Sequence, residues 1–159
     1  MTLSEADIER YARQIVIPQV GIEGQERLLA ARVLVAGNGT AAQAARQYLE
    51  ASGVTTLAGT ATPDGCVCAV VAGAEAWADS ERSGGLPRIW CYLDAGRLVG
   101  GYAAASQALP GLPASAANPP KGPAAEAGLY AAGCEAAART LAVLLDWEGA
   151  RTNEKVSLG

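Results

Sequence analysis

The chain has 159 residues, of which 50% are hydrophobic and 18% are charged, and its formal net charge is −4. This length and apolar share predict one globular domain and exclude a disordered tail, a collagen and a disulfide scaffold. The chain contains no histidine, which excludes histidine-dependent triads and histidine metal ligands. The acidic balance, without a Lys/Arg cluster, predicts neither nucleic acid nor a membrane as a partner.

The four cysteines, Cys66, Cys68, Cys91 and Cys134, form no C-x-x-C pair and lie in apolar runs. Such residues are typical of reduced core thiols, and the acidic N-terminal stretch lacks the pattern of a signal peptide, so we expect a cytoplasmic protein. Cys66 and Cys68 would share one face of a strand, but zinc needs two further ligands that the neighbouring sequence does not supply. We therefore expect no metal site built from cysteine.

The first third of the chain predicts a helical extension followed by a βαβ unit. Its predicted elements are helices at 5–15 and 24–31, a strand at 32–36, a helix at 40–50 and a strand at 54–58. Gly37-Asn38-Gly39 separates the first strand from its helix, and Gly53 follows the end of that helix. A strand, a helix and a second strand in this order predict a parallel sheet.

The remainder predicts further strands and one long helix. Its predicted elements are a strand at 66–72, a short helix at 75–82, a hairpin of strands at 88–93 and 98–102, a Pro-rich loop or lid at 106–123 and a helix at 124–147. We thus expect an α/β, Rossmann-like fold: a mainly parallel sheet of about five strands flanked by helices, with an N-terminal helical extension and a C-terminal hairpin plus long helix. Residues 1–150 form the single predicted domain, and 151–159 a flexible tail.

The turn at Gly37, Asn38, Gly39 and Thr40 is the predicted nucleotide-binding site. It fits the G-x-G-x-x-A pattern between a strand and a helix, in which glycines let the backbone approach a phosphate at the helix N-terminus. The alternative is a glycine turn kept only for packing. A dinucleotide site also needs a carboxylate at the end of the second strand, and the first carboxylate beyond that strand is Asp64.

The N-terminal third resembles the ThiF/MoeB/HesA family, the bacterial relatives of ubiquitin-activating enzymes. The matching segments are Glu9-Arg10-Tyr11-Ala12-Arg13-Gln14-Ile15, Gly24-Gln25-Glu26-Arg27-Leu28 and Ala31 to Gly39, with a weaker match at Gly133 to Leu141. The resemblance implies a homodimer that uses MgATP to adenylate the C-terminal glycine of a ubiquitin-like sulfur carrier. It also implies that 1–31 is a dimerisation arm, and that Arg13 reaches the partner's ATP phosphates as a catalytic residue. The alternative for Arg13 is a surface arginine paired with Glu9.

The chain also departs from the family's pattern. Thr40-Ala41-Ala42 puts side chains where the family has glycines, and Ala61-Thr62-Pro63 stands where the family carries its ribose, magnesium and phosphate ligands. Glu75 matches the position of a magnesium-binding aspartate, its alternative being an ordinary residue at a helix start. ATP and magnesium are therefore possible cofactors with few of the expected ligands.

These observations predict a shortened, degenerate member of the family that has lost adenylation activity. We expect it to act as a binding or dimer partner in a sulfur-carrier, ubiquitin-like or metabolite pathway, either as a homodimer or as a heterodimer with a related chain. A ubiquitin-like carrier protein is a possible partner. The alternatives are an active ATP-dependent adenylyltransferase and a small nucleotide-dependent oxidoreductase.

Overall fold

The computed structural model describes residues 3–59, 64–80, 85–118, 121–151 and 156–158. The helices are α1 (Glu5–Ile15), α2 (Gly21–Ala30), α3 (Thr40–Ala51), α4 (Glu75–Ser80), α5 (Ala114–Ala117) and α6 (Pro123–Leu144). The strands are β1 (Arg32–Ala36), β2 (Thr55–Ala58), β3 (Cys68–Ala72), β4 (Arg88–Asp94), β5 (Arg97–Ala103) and β6 (Val156–Leu158). The Rossmann-like α/β fold predicted from the sequence is confirmed.

The sheet has the strand order β2-β1-β3-β4-β5-β6. The first four strands in this order are parallel, whereas β5 and β6 run antiparallel to their neighbours. The β4–β5 hairpin turns at Ala95 and Gly96, which both have positive φ, as a two-residue hairpin turn requires. The strands β2 and β3 flank β1 on opposite sides. The strand order therefore reverses at β1 and β3, because β2 is added on one side of β1 and the later strands on the other.

Side chains of alternating residues divide the core into two layers. Val33, Val35 and Val70 point to the layer covered by α3 and α6, while Trp90 and Tyr92 point to the opposite layer, which α4 and α5 cover. In that second layer Trp77 of α4 meets Trp90 and Tyr92 edge-on, at centroid distances of 5.8 and 5.3 Å. The three rings form an aromatic cluster, a term we keep for them below.

The N-terminal arm, α1 and α2, lies at the C-terminal end of α3. Ser4 and Asp7 form a capping box that starts α1. From α1, Gln14 Nε2 donates to the carbonyl oxygen of Ala51 at 3.3 Å, and from α2, Gln25 Nε2 donates to that of Ser52 at 3.0 Å. Both acceptors belong to the end of α3, so two glutamines of the arm hold that end of the helix.

Several expectations differ from the structure. The second helix begins at Gly21, ahead of the expected 24, and β3 begins at Cys68 and not at 66. The Pro-rich stretch, predicted to contain no helix, includes the single turn of α5 over Ala114–Ala117, which the segment's small residues allow. The tail, predicted to be loose, contains β6, which pairs with β5 at the sheet edge and adds a sixth strand. The long helix ends at Leu144, ahead of the expected 147. The predicted segments at 61–63 and 81–82, Pro119, Pro120 and part of the tail lie outside the described residues.

Candidate functional site

The glycine turn lies at the carboxyl ends of β1 and β3, where the strand order reverses. Ligands of open α/β sheets bind in the crevice at such a point. Gly37 has φ of +78°, and a Cβ there would lie 3.1 Å from the Cβ of Ala76, so the position suits glycine for both conformation and space. Gly39 caps α3 without any side-chain hydrogen bond to the helix.

Glu75 lies against this turn. Its carboxylate is so close to the α-carbon of Gly39 that a Cβ at Gly39 would overlap both carboxylate oxygens. Glu75 is the first residue of α4, immediately beyond the loop that leaves β3, and its side chain is exposed. The structure thus brings the predicted residues Gly37, Gly39 and Glu75 together, with the carboxylate where a side chain at Gly39 would begin.

Two cavities that share Ala117 and Leu129 form the crevice, and the inner one is lined by Glu75. The inner cavity has a volume of about 260 Å³, and the outer one about 550 Å³. The inner cavity is lined by Gly73, Ala74, Glu75, Leu112, Ala117 and Leu129. The outer cavity is lined by Thr40, Ala117, Asn118, Lys121, Gly122, Ala125, Glu126 and Leu129. Most of the inner wall is apolar, and Glu75 is the charged group that lines it.

The Pro-rich stretch forms one wall of the crevice and is attached to the second layer of the core. Trp77 Nε1 donates to the carbonyl oxygen of Pro110 at 3.1 Å, and Ser115 Oγ donates to a carboxylate oxygen of Asp94 at 2.5 Å. Leu109 and Leu112 pack against the aromatic cluster. We call residues 104–118 the strap; these contacts fix it beside α4.

Arg13 lies away from the glycine turn of its own chain. It is exposed in the last turn of α1, next to Gln14, whose side chain bonds the C-terminal end of α3. The glycine turn precedes the N-terminal end of the same helix, and 12 residues of α-helix span about 18 Å. Within one chain, therefore, the arginine and the turn are at opposite ends of α3, and Arg13 does not line the crevice of its own chain.

Two polar side chains of α3, which the sequence analysis did not single out, also contact the turn. Arg46 donates hydrogen bonds to the carbonyl oxygens of Val35, at 3.1 Å, and of Gly37. Gln43 Nε2 donates to the carbonyl oxygen of Asn38 at 2.8 Å. The sequence indicates this contact only by placing one arginine, Arg46, among the alanines of α3.

Burial disfavours the thiolate form of three of the four cysteines. Burial raises the pKa of Cys68 and that of Cys91 to about 12, and it also raises the pKa of Cys66. Cys66 precedes β3, so it lies outside the strand predicted at 66–72. Among residues 3–59, 64–80, 85–118, 121–151 and 156–158, no group of three or more cysteine or acidic side chains could hold a metal ion. No helix in these ranges is long and apolar enough to span a bilayer.

The fold and the turn define an open α/β protein with a crevice at the strand-order reversal. Over 55 residues, or 35% of its length, the chain is 49% identical to the adenylyltransferase and sulfurtransferase uba4 of Pyricularia oryzae, covering 11% of that protein. It is 48% identical over 54 residues, or 34% of its length, to the sulfur carrier protein adenylyltransferase of Thermus thermophilus, covering 20% of that protein. The chain therefore spans a fifth or less of these curated relatives.

Two further comparisons concern the whole chain. No family model matches it. The crystal structure of selenomethionine PaaA matches it with a TM-score of 0.67 at 12% identity, over 98% of this chain and 84% of the other. That likeness establishes the fold, while the similarity to ThiF/MoeB-like adenylyltransferases covers about a third of the sequence.

Proposed function

We propose that the chain is a non-catalytic relative of the sulfur-carrier adenylyltransferases, acting as a binding or dimer partner in a sulfur-carrier, ubiquitin-like or metabolite pathway. The observation that carries this proposal is the Glu75 carboxylate against Gly39. A phosphate reaching that backbone would meet a like charge at contact distance, where Coulomb repulsion is worth about 4 kcal/mol at an effective dielectric constant near 20, and less at an exposed site. Nucleotide phosphates are therefore disfavoured at this turn.

The crevice also offers few groups for transition-state stabilisation. Among the described residues that line it, Lys121 on the outer cavity is the cationic one, and Arg46 is already engaged by backbone carbonyls. Loss of one preorganised donor typically costs about 2.7–4 kcal/mol of transition-state stabilisation. A site that lacks several such donors is better suited to holding a ligand than to transferring an adenylyl group.

The arm provides a surface for a partner. Ile8, Val16 and Ile22 in and around α1 and α2 are 46%, 77% and 56% exposed. Exposed apolar side chains on the arm support the proposal of a protein interface there. This surface supports a homodimer, or a heterodimer with a related chain, and a ubiquitin-like carrier is a further possible partner.

A second candidate is an active adenylyltransferase. The uncapped N-terminus of α3 and the positive φ of Gly37 favour it, because both are features of phosphate-binding turns. In this version Arg13 comes from the partner chain, and Glu75 turns away to hold magnesium. An oxidoreductase has less support, because the described end of β2, Leu57-Ala58-Gly59, contains no carboxylate for a ribose.

ATP–pyrophosphate exchange distinguishes these functions. We expect the purified chain, with magnesium, to show no exchange above a protein-free control, both alone and with a ubiquitin-like carrier, and calorimetry to show no MgATP binding at 1 mM nucleotide, a concentration of the order that cells maintain. Exchange that disappears in Arg13→Ala would establish the active enzyme and overturn the proposal. Light scattering on the same samples reports whether the chain pairs with itself.

A further inference from the structure

We propose that the crevice selects ligands with a primary ammonium group on a short hydrocarbon chain, and that Glu75 is the residue that sets this selectivity. The inference rests on the proposed function, since it assigns a ligand class to a crevice that does not process nucleotide. It concerns the inner cavity, whose dimensions and lining are described above.

The inner cavity combines an apolar wall with one anionic end. Leu112, Ala117 and Leu129 supply aliphatic surface, and Glu75 is the charged residue of the lining. Small-molecule sites are typically mostly apolar, with a few polar groups that fix the orientation of the ligand. The complementary ligand places its hydrocarbon along the leucines and its ammonium against the carboxylate.

The position of Glu75 is set by the packing of α4. Two residues along the helix, Trp77 contacts both other rings of the aromatic cluster and donates to the carbonyl oxygen of Pro110 in the strap. One turn of α4 therefore joins the anionic end of the cavity to the strap that supplies Leu112. The backbone of Glu75 and the apolar wall are held in one arrangement before a ligand arrives, so the exposed Glu75 side chain is the part of the site that orders on binding.

The remaining charges of the crevice lie on the outer cavity. Lys121 and Glu126 line that cavity, are of opposite sign, and are both exposed. Their fields are screened by water and partly cancel. Glu75 is therefore the residue that selects the charge of a ligand in the inner cavity. Glu126, an exposed glutamate of the outer cavity, is the matched control for substitutions of Glu75.

The test measures dissociation constants by NMR titration with pentylammonium, pentanoate and a capped Gly-Lys-Gly peptide. These probes represent a free amine, an anion with the same hydrocarbon chain, and a lysine side chain of a partner protein. We expect pentylammonium or the lysine peptide to bind the wild-type chain at least tenfold more tightly than pentanoate. Glu75→Gln should remove at least nine-tenths of that preference, and Glu126→Gln should leave it within twofold.

Each outcome decides the inference. If pentylammonium binds and the peptide does not, the ligand is a small amine; if the peptide binds as well or better, the site takes a partner's lysine, and both results support the ammonium class. Equal or tighter binding of pentanoate overturns the inference, as does a preference that survives in both Glu75→Gln and Glu75→Ala, with folding of each variant verified by circular dichroism. An equal loss in Glu126→Gln overturns the assignment to Glu75. Absence of any ammonium preference without ATP–pyrophosphate exchange defeats only this inference, whereas exchange defeats the proposed function.

Discussion

Gly133 of α6 lies directly on the carbonyl oxygen of Ala41 in α3, so closely that a Cβ at Gly133 would overlap that oxygen. The same Cβ would lie 2.7 Å from the Cβ of Ala44. Small residues on both helices permit this approach, which explains how an alanine-rich chain without phenylalanine still builds a dense core.

The first prediction concerns this contact. We expect Gly133→Ala to lower the free energy of unfolding by about 1–3 kcal/mol, because overpacking against backbone outweighs the better helix propensity of alanine. Gly128→Ala in the same helix is the matched control, since its new methyl meets the flexible end of Leu93. Urea denaturation of both variants checks the difference; equal stabilities would contradict the close packing described here.

The two glutamines of the arm give a second prediction. Gln25 is fully buried, whereas Gln14 is only partly covered, yet both donate to carbonyl oxygens at the end of α3. Replacing Gln25 by Met leaves the Ser52 carbonyl without its partner but also removes Gln25 Oε1, a buried oxygen that accepts no hydrogen bond from the described residues, so we expect Gln25→Met to cost about 1 kcal/mol of stability. Gln14→Met should cost less than half as much, because water can replace its side chain. Thermal melts of both variants provide the comparison.

A third prediction follows from the buried thiols. Burial raises the pKa of Cys91 from its ordinary value of 9.0 to about 12. As pH rises, the unfolded chain therefore loses the Cys91 proton before the folded chain does. The contribution of this thiol to the free energy of unfolding is complete below pH 9 and is lost between pH 9 and 12. Between pH 9 and 12, the free energy of unfolding of Cys91→Ala should therefore fall less steeply than that of the wild-type chain, by about 1.4 kcal/mol per pH unit.

The same burial governs labelling by iodoacetamide. In the native protein at pH 8 we expect Cys68 and Cys91 to resist alkylation, because their thiolate populations are negligible and their side chains are buried. Cys66 and Cys134, which are partly exposed, should be modified first. Peptide mass spectrometry identifies the modified sites, and rapid modification of Cys91 without unfolding would contradict the structure.

A fourth prediction concerns Arg13 and distinguishes an effect on folding stability from an effect on the pairing of chains. Its side chain is exposed, and none of the described salt bridges includes it, so Arg13→Ala should change the free energy of unfolding by no more than about 0.5 kcal/mol. A larger loss would show that the arginine stabilises the fold. If the residue supports pairing of chains, the variant should weaken the dimer in light-scattering experiments while its melting temperature at low concentration stays unchanged.

The βαβ unit could be predicted from the sequence because its signals are local. The apolar run at β1, the glycines of the turn and the periodicity of α3 each act within a few residues, and the structure confirms all three elements. The position of Glu75 over Gly39 could not be predicted, since the two residues lie on different elements, and their approach depends on how α4 packs on β3. The contacts of Arg46 with the turn depend on side-chain rotamers, which hydrophobic patterning does not encode.

The strand β6 in the tail could not be predicted from the sequence, because it depends on pairing with a distant segment. A short polar segment gives no strand signal by itself, and β6 forms only because β5 presents an unpaired edge. The Pro-rich stretch behaves similarly: its composition predicts a loop, and the turn of α5 within it is buried at Ala116 against the aromatic cluster. Tertiary contacts decide both segments.

The attachment of the arm to the rear of α3 has a consequence for a shortened chain. Two glutamine amides fasten α1 and α2 to one end of this three-turn helix, while the glycine turn precedes its other end. Deleting the first 30 residues would therefore strip the Ala51 and Ser52 carbonyl oxygens of their donors without removing any residue that lines the crevice.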